Sequence, residues 1–105
     1  MAYTMTIAAL SDPTRRAIVE NLRHGPMPVG RLACGLPVSR PAVSQHLKVL
    51  AKAGIVEAVS KGAERHYYLS PNGFEALRGY LDLLWGDALT CFAAAASDLA
   101  EKDRT

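Results

Sequence analysis

From residue 74 to residue 99 the apolar side chains return every three or four positions. Phe74, Leu77, Leu81, Leu84, Trp85, Ala88, Phe92, Ala95 and Leu99 fall on one stripe of a helix. At 1.5 Å per residue this segment is a rod of about 39 Å. The chain has 105 residues, enough for one domain around one core. A body of that size cannot cover the whole rod. The uncovered stripe needs a partner, most simply its own copy across a two-fold axis. A homodimer is therefore expected, built on Leu77, Leu81, Leu84, Trp85, Ala88 and Phe92 and joined by Tyr3 and Ile7 of an N-terminal helix. Gly79 and Gly86 each cost about 1 kcal/mol in a helix interior and mark a bend or a close crossing.

The rest of the chain is divided by turn and cap residues. Tyr3 to Ala9 reads as a short helix with Leu10-Ser11 as its corner. Asp12-Pro13 is an N-cap followed by proline at the first helical position, and that helix carries Ile18 and Leu22 before it stops at His24-Gly25-Pro26. Val29, Leu32, Ala33 and Leu36 have helical spacing, so 28–35 is a short helix broken at Gly35-Leu36-Pro37. Ser39 caps a longer helix with Pro41 in its first turn, running to Gly54. Ile55–Ser60 and Arg65–Ser70 are β-prone segments around Lys61-Gly62-Ala63-Glu64, a hairpin, and Pro71-Asn72-Gly73 ends the sheet. The expected fold is mostly α with a small β-hairpin, in the order α-α-α-α-β-β-α. Residues 1–105 form one domain: N-terminal helices at 3–24, helix-turn-helix at 28–54, hairpin at 55–70 and C-terminal helix at 73–100.

Charge separates along this layout. Residues 1–70 hold nine Lys or Arg against four Asp or Glu, whereas residues 71–105 hold three against six. The basic body suits a polyanion and the acidic end a different task. On the 39–54 helix, Val43, His46, Leu47 and Leu50 project to one side, toward a core. Pro41, Gln45, Lys48 and Lys52 lie opposite, with Arg40 and Ser44 on the flank and Ser39 at the cap. The outward face offers amide, hydroxyl and cationic groups and no carboxylate. Gln and Arg can make paired hydrogen bonds to base edges, while Ser and Lys reach phosphates. Arg40, Ser44 and Gln45, in the first two turns, are the expected base readers. Lys48 and Lys52, with Lys61 and Arg65 on the hairpin, are the expected phosphate contacts. The alternatives are an ordinary solvated helix and a hairpin that only closes the core with Val59, Tyr67 and Leu69. Helix-turn-helix followed at once by a basic hairpin is more specific than either part, and it points to double-stranded DNA.

The segments Leu10-Ser11-Asp12-Pro13-Thr14-Arg15-Arg16-Ala17-Ile18, Val29-Gly30-Arg31-Leu32-Ala33 and Leu36 to Leu50 resemble the winged-helix repressors of the ArsR family. Ala53-Gly54-Ile55-Val56 and Tyr67-Tyr68-Leu69 are similar to that family's wing. The resemblance implies a homodimer that binds a promoter operator, commonly its own, with the first and last helices at the dimer interface. It departs from the family's metal sensors. Their Cys-x-Cys pair falls on Pro28 and Gly30, and residues 73–105 contain no His for a site on the last helix, so no tetrahedral zinc set and no cofactor is expected. His24, His46 and His66 read as structural or incidental. The Asp-Pro-Thr-Arg-Arg opening and Leu-Leu-Trp near residue 85 look like the metal-free branch, whose small-molecule effectors are often unknown.

Two other functions compete. Cys34 projects away from its apolar neighbours and Cys91 sits at the stripe's edge as a small buried hydrophobe; as a pair they would allow thiol-based sensing of oxidants or reactive sulfur. A winged helix can also serve as a protein-docking module, although an apolar outward face would suit that better. An enzyme is not expected, because no Gly-rich phosphate loop, nucleophile elbow or metal motif is present. With no membrane-length apolar run and no cation ahead of the first apolar residues, the expected location is the cytoplasm, where two unpaired cysteines stay reduced.

Overall fold

The computed structural model describes residues 2–104. In chain order they form α1 (Ala2–Leu10), α2 (Pro13–Leu22), β1 (Met27–Pro28), α3 (Val29–Cys34), α4 (Arg40–Lys52), β2 (Val56–Lys61), β3 (Glu64–Leu69) and α5 (Pro71–Arg104). The architecture is the mostly helical winged helix-turn-helix read from the sequence. Its core is made by Ala9 of α1, Ile18 and Leu22 of α2, Leu32 of α3, and Val43, Leu47 and Leu50 of α4, closed by Ala53, Ile55 and Val56. His46, expected on the same side, is only half-buried. Among the described residues no helix is long and apolar enough to cross a membrane.

The helix starts obey their caps. The Asp12 carboxylate accepts the Arg15 backbone N–H at 3.0 Å, and that hydrogen bond holds its pKa below the ordinary value. Ser39 Oγ accepts the Ala42 N–H at 3.3 Å, with proline in the first turn of both helices. Arg15 and Arg16 then turn back on α1. Arg15 Nε donates to the Ala9 carbonyl at 2.6 Å, and Arg16 Nη1 to those of Leu10 and Ser11 at 2.9 and 3.0 Å. The Ala9 and Leu10 carbonyls end α1, that of Ser11 belongs to the turn after it, and none has a partner inside the helix, so the two cations fasten the α1–α2 corner.

The sheet has one strand more than the hairpin alone. β1 pairs antiparallel with β3, giving the order β1-β3-β2, with Met27 opposite Tyr67 and Pro28 opposite His66. Pro28, read as the first residue of a helix, is instead the end of β1 and the N-cap of α3. Val59 also differs from expectation. It lies opposite His66, on the face away from Val56 and Ala58, and is half exposed because alternate strand residues face opposite ways.

The last helix begins two residues early, since Pro71 supplies the first helical position where a break was expected, and it continues to Arg104. Its start is pressed against the turn after α4. Gly73 N donates to the Gly54 carbonyl at 2.9 Å, and Thr6 Oγ1 of α1, fully buried, donates to the Gly73 carbonyl at 3.2 Å. A Cβ on Gly73 would stand 2.9 Å from the carbonyl oxygens of both Ala53 and Gly54. From Leu81 onward every described side chain is exposed. The free arm raises the radius of gyration to 20.0 Å, against about 13 Å for a compact chain of this length. Gly73→Ala is expected to lower stability by about 1–3 kcal/mol through this backbone crowding. A urea midpoint unchanged from wild type would refute the contact.

Candidate nucleic-acid interface

On α4 the buried residues Val43, Leu47 and Leu50 fix which side faces out. Ser39, Arg40, Pro41, Gln45, Lys48 and Lys52 are exposed and Ser44 is half-buried. No carboxylate lies on this helix. Charge-accepting groups that would repel a phosphate or occupy a donor are therefore absent from the face itself.

The wing stands beside the start of α4. The cross-strand pair Lys61 and Glu64 closes a two-residue tip, Gly62-Ala63, with Gly62 at φ +63° as primed hairpin turns require. Lys61 and Arg65 are exposed, and the Arg65 guanidinium lies 5.9 Å over the Tyr67 ring, a cation–π contact. On the outer face Tyr68 Oη donates to Glu57 Oε2 at 3.0 Å across the hairpin, and this bond raises the Tyr68 pKa. Between wing and helix-turn-helix lies a cleft of about 360 Å³. Gly30 and Arg31 of α3, Arg40 of α4, and Glu64, Arg65 and Tyr67 of the wing line it. Arg40 folds over Gly30: a Cβ there would lie 3.6 Å from Arg40 Nη1.

The structure thus brings Arg40 and Arg65 to one cleft, with Lys61 at the wing tip. Lys52 lies apart, at the far end of α4, beside Met5, Asn72 and Gly73. Arg31, which the sequence reading counts among the basic residues and in the Val29–Ala33 segment but not among the expected contacts, lines the same cleft. The signal lay in Met27-Pro28, the two residues that tie its helix to the wing.

The residues expected at a dimer interface divide between two regions. Tyr3 stacks on Tyr80 of its own chain, with centroids 4.1 Å apart and planes within 3°, and Leu77 is half-buried. Ile7, Leu81, Leu84, Trp85, Ala88 and Phe92 are exposed; Trp85 reaches 66% and Phe92 72%. Trp85, Ala88, Leu89 and Phe92 line a shallow, open apolar notch on the helix surface. Cys91, expected buried, is exposed with the rest of the arm, because nothing in the single chain packs there. Cys34 is exposed at the end of α3. Among the described residues no three His, Cys, Asp or Glu side chains converge as metal ligands. His24 is exposed, and His66 Nε2 lies 3.3 Å from Glu64 Oε2.

Comparison with known proteins agrees with this geometry. A family model described as a helix-turn-helix domain matches residues 10–59. The HTH-type transcriptional regulator Rv2034 of Mycobacterium tuberculosis is 60% identical over 85 residues, covering 81% of this chain and 79% of that protein. The transcriptional repressor SdpR of Bacillus subtilis is 39% identical over 62 residues, 59% of this chain and 69% of that one. Among solved structures, an ArsR-like transcriptional regulator from Rhodococcus sp. RHA1 superposes with a TM-score of 0.78 at 32% identity, covering 89% of this chain and 88% of its own. A relative this similar over this much of both chains places the function with the fold. The chain belongs to the ArsR family of winged helix-turn-helix regulators and is a DNA-binding transcriptional regulator, not an enzyme.

Proposed function

We propose that the protein is a repressor that binds an imperfectly palindromic promoter operator, including its own, as a homodimer in the cytoplasm and without a metal. The observation that carries this reading is the carboxylate-free face of α4 standing beside a cationic wing. Ser44 and Gln45 read base edges from the first turns of α4, with Pro41 beside them, and Ser39 holds the helix start. Lys48, Lys52, Lys61 and Arg65 neutralise phosphates. Two-fold symmetry sets half-sites about one helical turn apart, so that both recognition helices enter successive major grooves. Gln45→Ala is expected to cost about 1–3 kcal/mol on the operator and to relax specificity at one position per half-site, leaving a scrambled duplex almost unaffected. Lys61→Ala is expected to weaken both duplexes alike and to make the log–log salt slope shallower by about one. Salt titrations on the two duplexes test this division, and a reversed pattern would overturn it.

The dimer rests on the arm of α5. Its apolar stripe runs from the half-buried Leu77 at the body through exposed Leu81, Leu84 and Trp85 to Phe92 and Leu99, and a second copy of the same stripe covers it with no other protein needed. In support, a winged helix-turn-helix domain from Mycobacterium bovis with the same fold is homodimeric. Sedimentation at about micromolar concentration is expected to give twice the 11.3 kDa chain mass, and Trp85→Asp with Phe92→Asp a monomer. A wild-type monomer would end this part of the reading.

Metal independence follows from the donor set. The resemblance puts Pro28 and Gly30 where the family's metal sensors carry their thiolate pair, and α5 carries no imidazole. Operator affinity is therefore expected to be equal with chelator and with added zinc, cadmium or arsenite. Release of DNA by a stoichiometric amount of one of them would contradict it.

A further inference from the structure

We infer that Arg31, Arg40 and Arg65 form a clamp for one phosphate of the DNA backbone, so that Arg40 anchors rather than reads; this rests on the DNA-binding function proposed above. Three elements bring these arginines to the lining of one cleft of about 360 Å³: α3 brings Arg31, the start of α4 brings Arg40, and β3 brings Arg65. Among the described residues no carboxylate lies within ion-pair reach of any of the three. Three cations against the one carboxylate of Glu64 leave the hollow with a positive excess, and an anion relieves the repulsion among them. The planar fork of each guanidinium suits phosphate oxygens, and three forks offer more donors than a single phosphodiester can saturate.

Two neighbours shape the clamp. The Arg40 guanidinium lies over Gly30 of α3, 3.6 Å from where a Cβ would stand, and Arg40 lines the cleft shared with the wing, of which Gln45 is not a lining residue. Arg65 is steadied by the Tyr67 ring. Glu64 also borders the cleft, but its carboxylate is drawn to His66 at 3.3 Å, so the clamp keeps a cationic excess that Glu64 trims. Sequence preference then falls on Ser44 and Gln45, and Arg31 joins the anchoring set although it lies outside both the recognition helix and the wing.

The test uses the full-length protein with operator and scrambled duplexes. Arg31→Gln and Arg40→Gln are each expected to weaken both duplexes by the same factor, about tenfold, and to make the salt slope shallower by about one, with the operator-to-scrambled ratio unchanged. Arg31→Lys, which keeps the charge, is expected to recover the slope. Glu64→Gln is expected to tighten both duplexes alike. A collapse of the ratio in Arg40→Gln with scrambled binding intact would make Arg40 a base reader and overturn the inference. So would an Arg31→Gln protein that binds like wild type. Exchanging chloride for inorganic phosphate at equal ionic strength separates the two sources of phosphate. No change is expected; DNA release from wild type but not from Arg31→Gln would assign the cleft to a free anion instead. A wild-type protein with no preference for its operator would fail the parent function and is seen before any variant is made.

Discussion

The backbone of Gly73 sits against the carbonyls of Ala53 and Gly54 with no side chain between them, and the rest of the molecule is arranged around that approach. The turn it touches ends α4 on one side and starts β2 on the other. The helix it begins is the one that leaves the body. Thr6 adds the third party by donating to the Gly73 carbonyl from α1, and the Tyr3–Tyr80 stack repeats the α1–α5 contact two turns further on. Recognition helix, wing and arm are therefore joined within a few ångströms through main-chain atoms. Main-chain contacts of this kind cannot be relaxed by a rotamer change. The direction in which α5 leaves the body is consequently tied to the orientation of α4.

Much of this could be read from the residues. Ser39 and Pro41 announce α4, its 3.6-residue period separates Val43, Leu47 and Leu50 from Gln45 and Lys48, and Gly62 marks the wing tip. These signals act within one element, where the local rule and the final fold agree. The misreadings have one physical origin: a partner distant in sequence decides the outcome. Met27-Pro28 is too short to show strand alternation and becomes β1 only because β3 offers it an edge. Pro71-Asn72-Gly73 looks like a chain break, yet proline is well suited to a first helical turn and the glycine is needed for the approach to Gly54. Val59 has the composition of a core residue, but the register of β2 against β3 turns it outward.

The basic residues make the same point about the site. A count of charges treats Arg15, Arg16, Arg31 and Arg40 as equal contributors to a cationic surface. In the fold, Arg15 and Arg16 are spent on the carbonyls that end α1, while Arg31 and Arg40 stand at the cleft. Net charge of a segment thus gives the sign of its partner, and hydrogen bonding decides which cations remain to meet it.

Pro28 is both the last residue of β1 and the cap of α3, so no linker separates the sheet from the helix that carries Arg31. The pairing of β1 with β3 therefore sets the gauge of the cleft before any ligand arrives. A wing held only by its own turn would have to be ordered when DNA binds, and that lost freedom would be subtracted from affinity. Here the ordering belongs to folding. A change in the β1–β3 register would accordingly appear first as a slower, looser encounter with DNA, with every contacting side chain still in place.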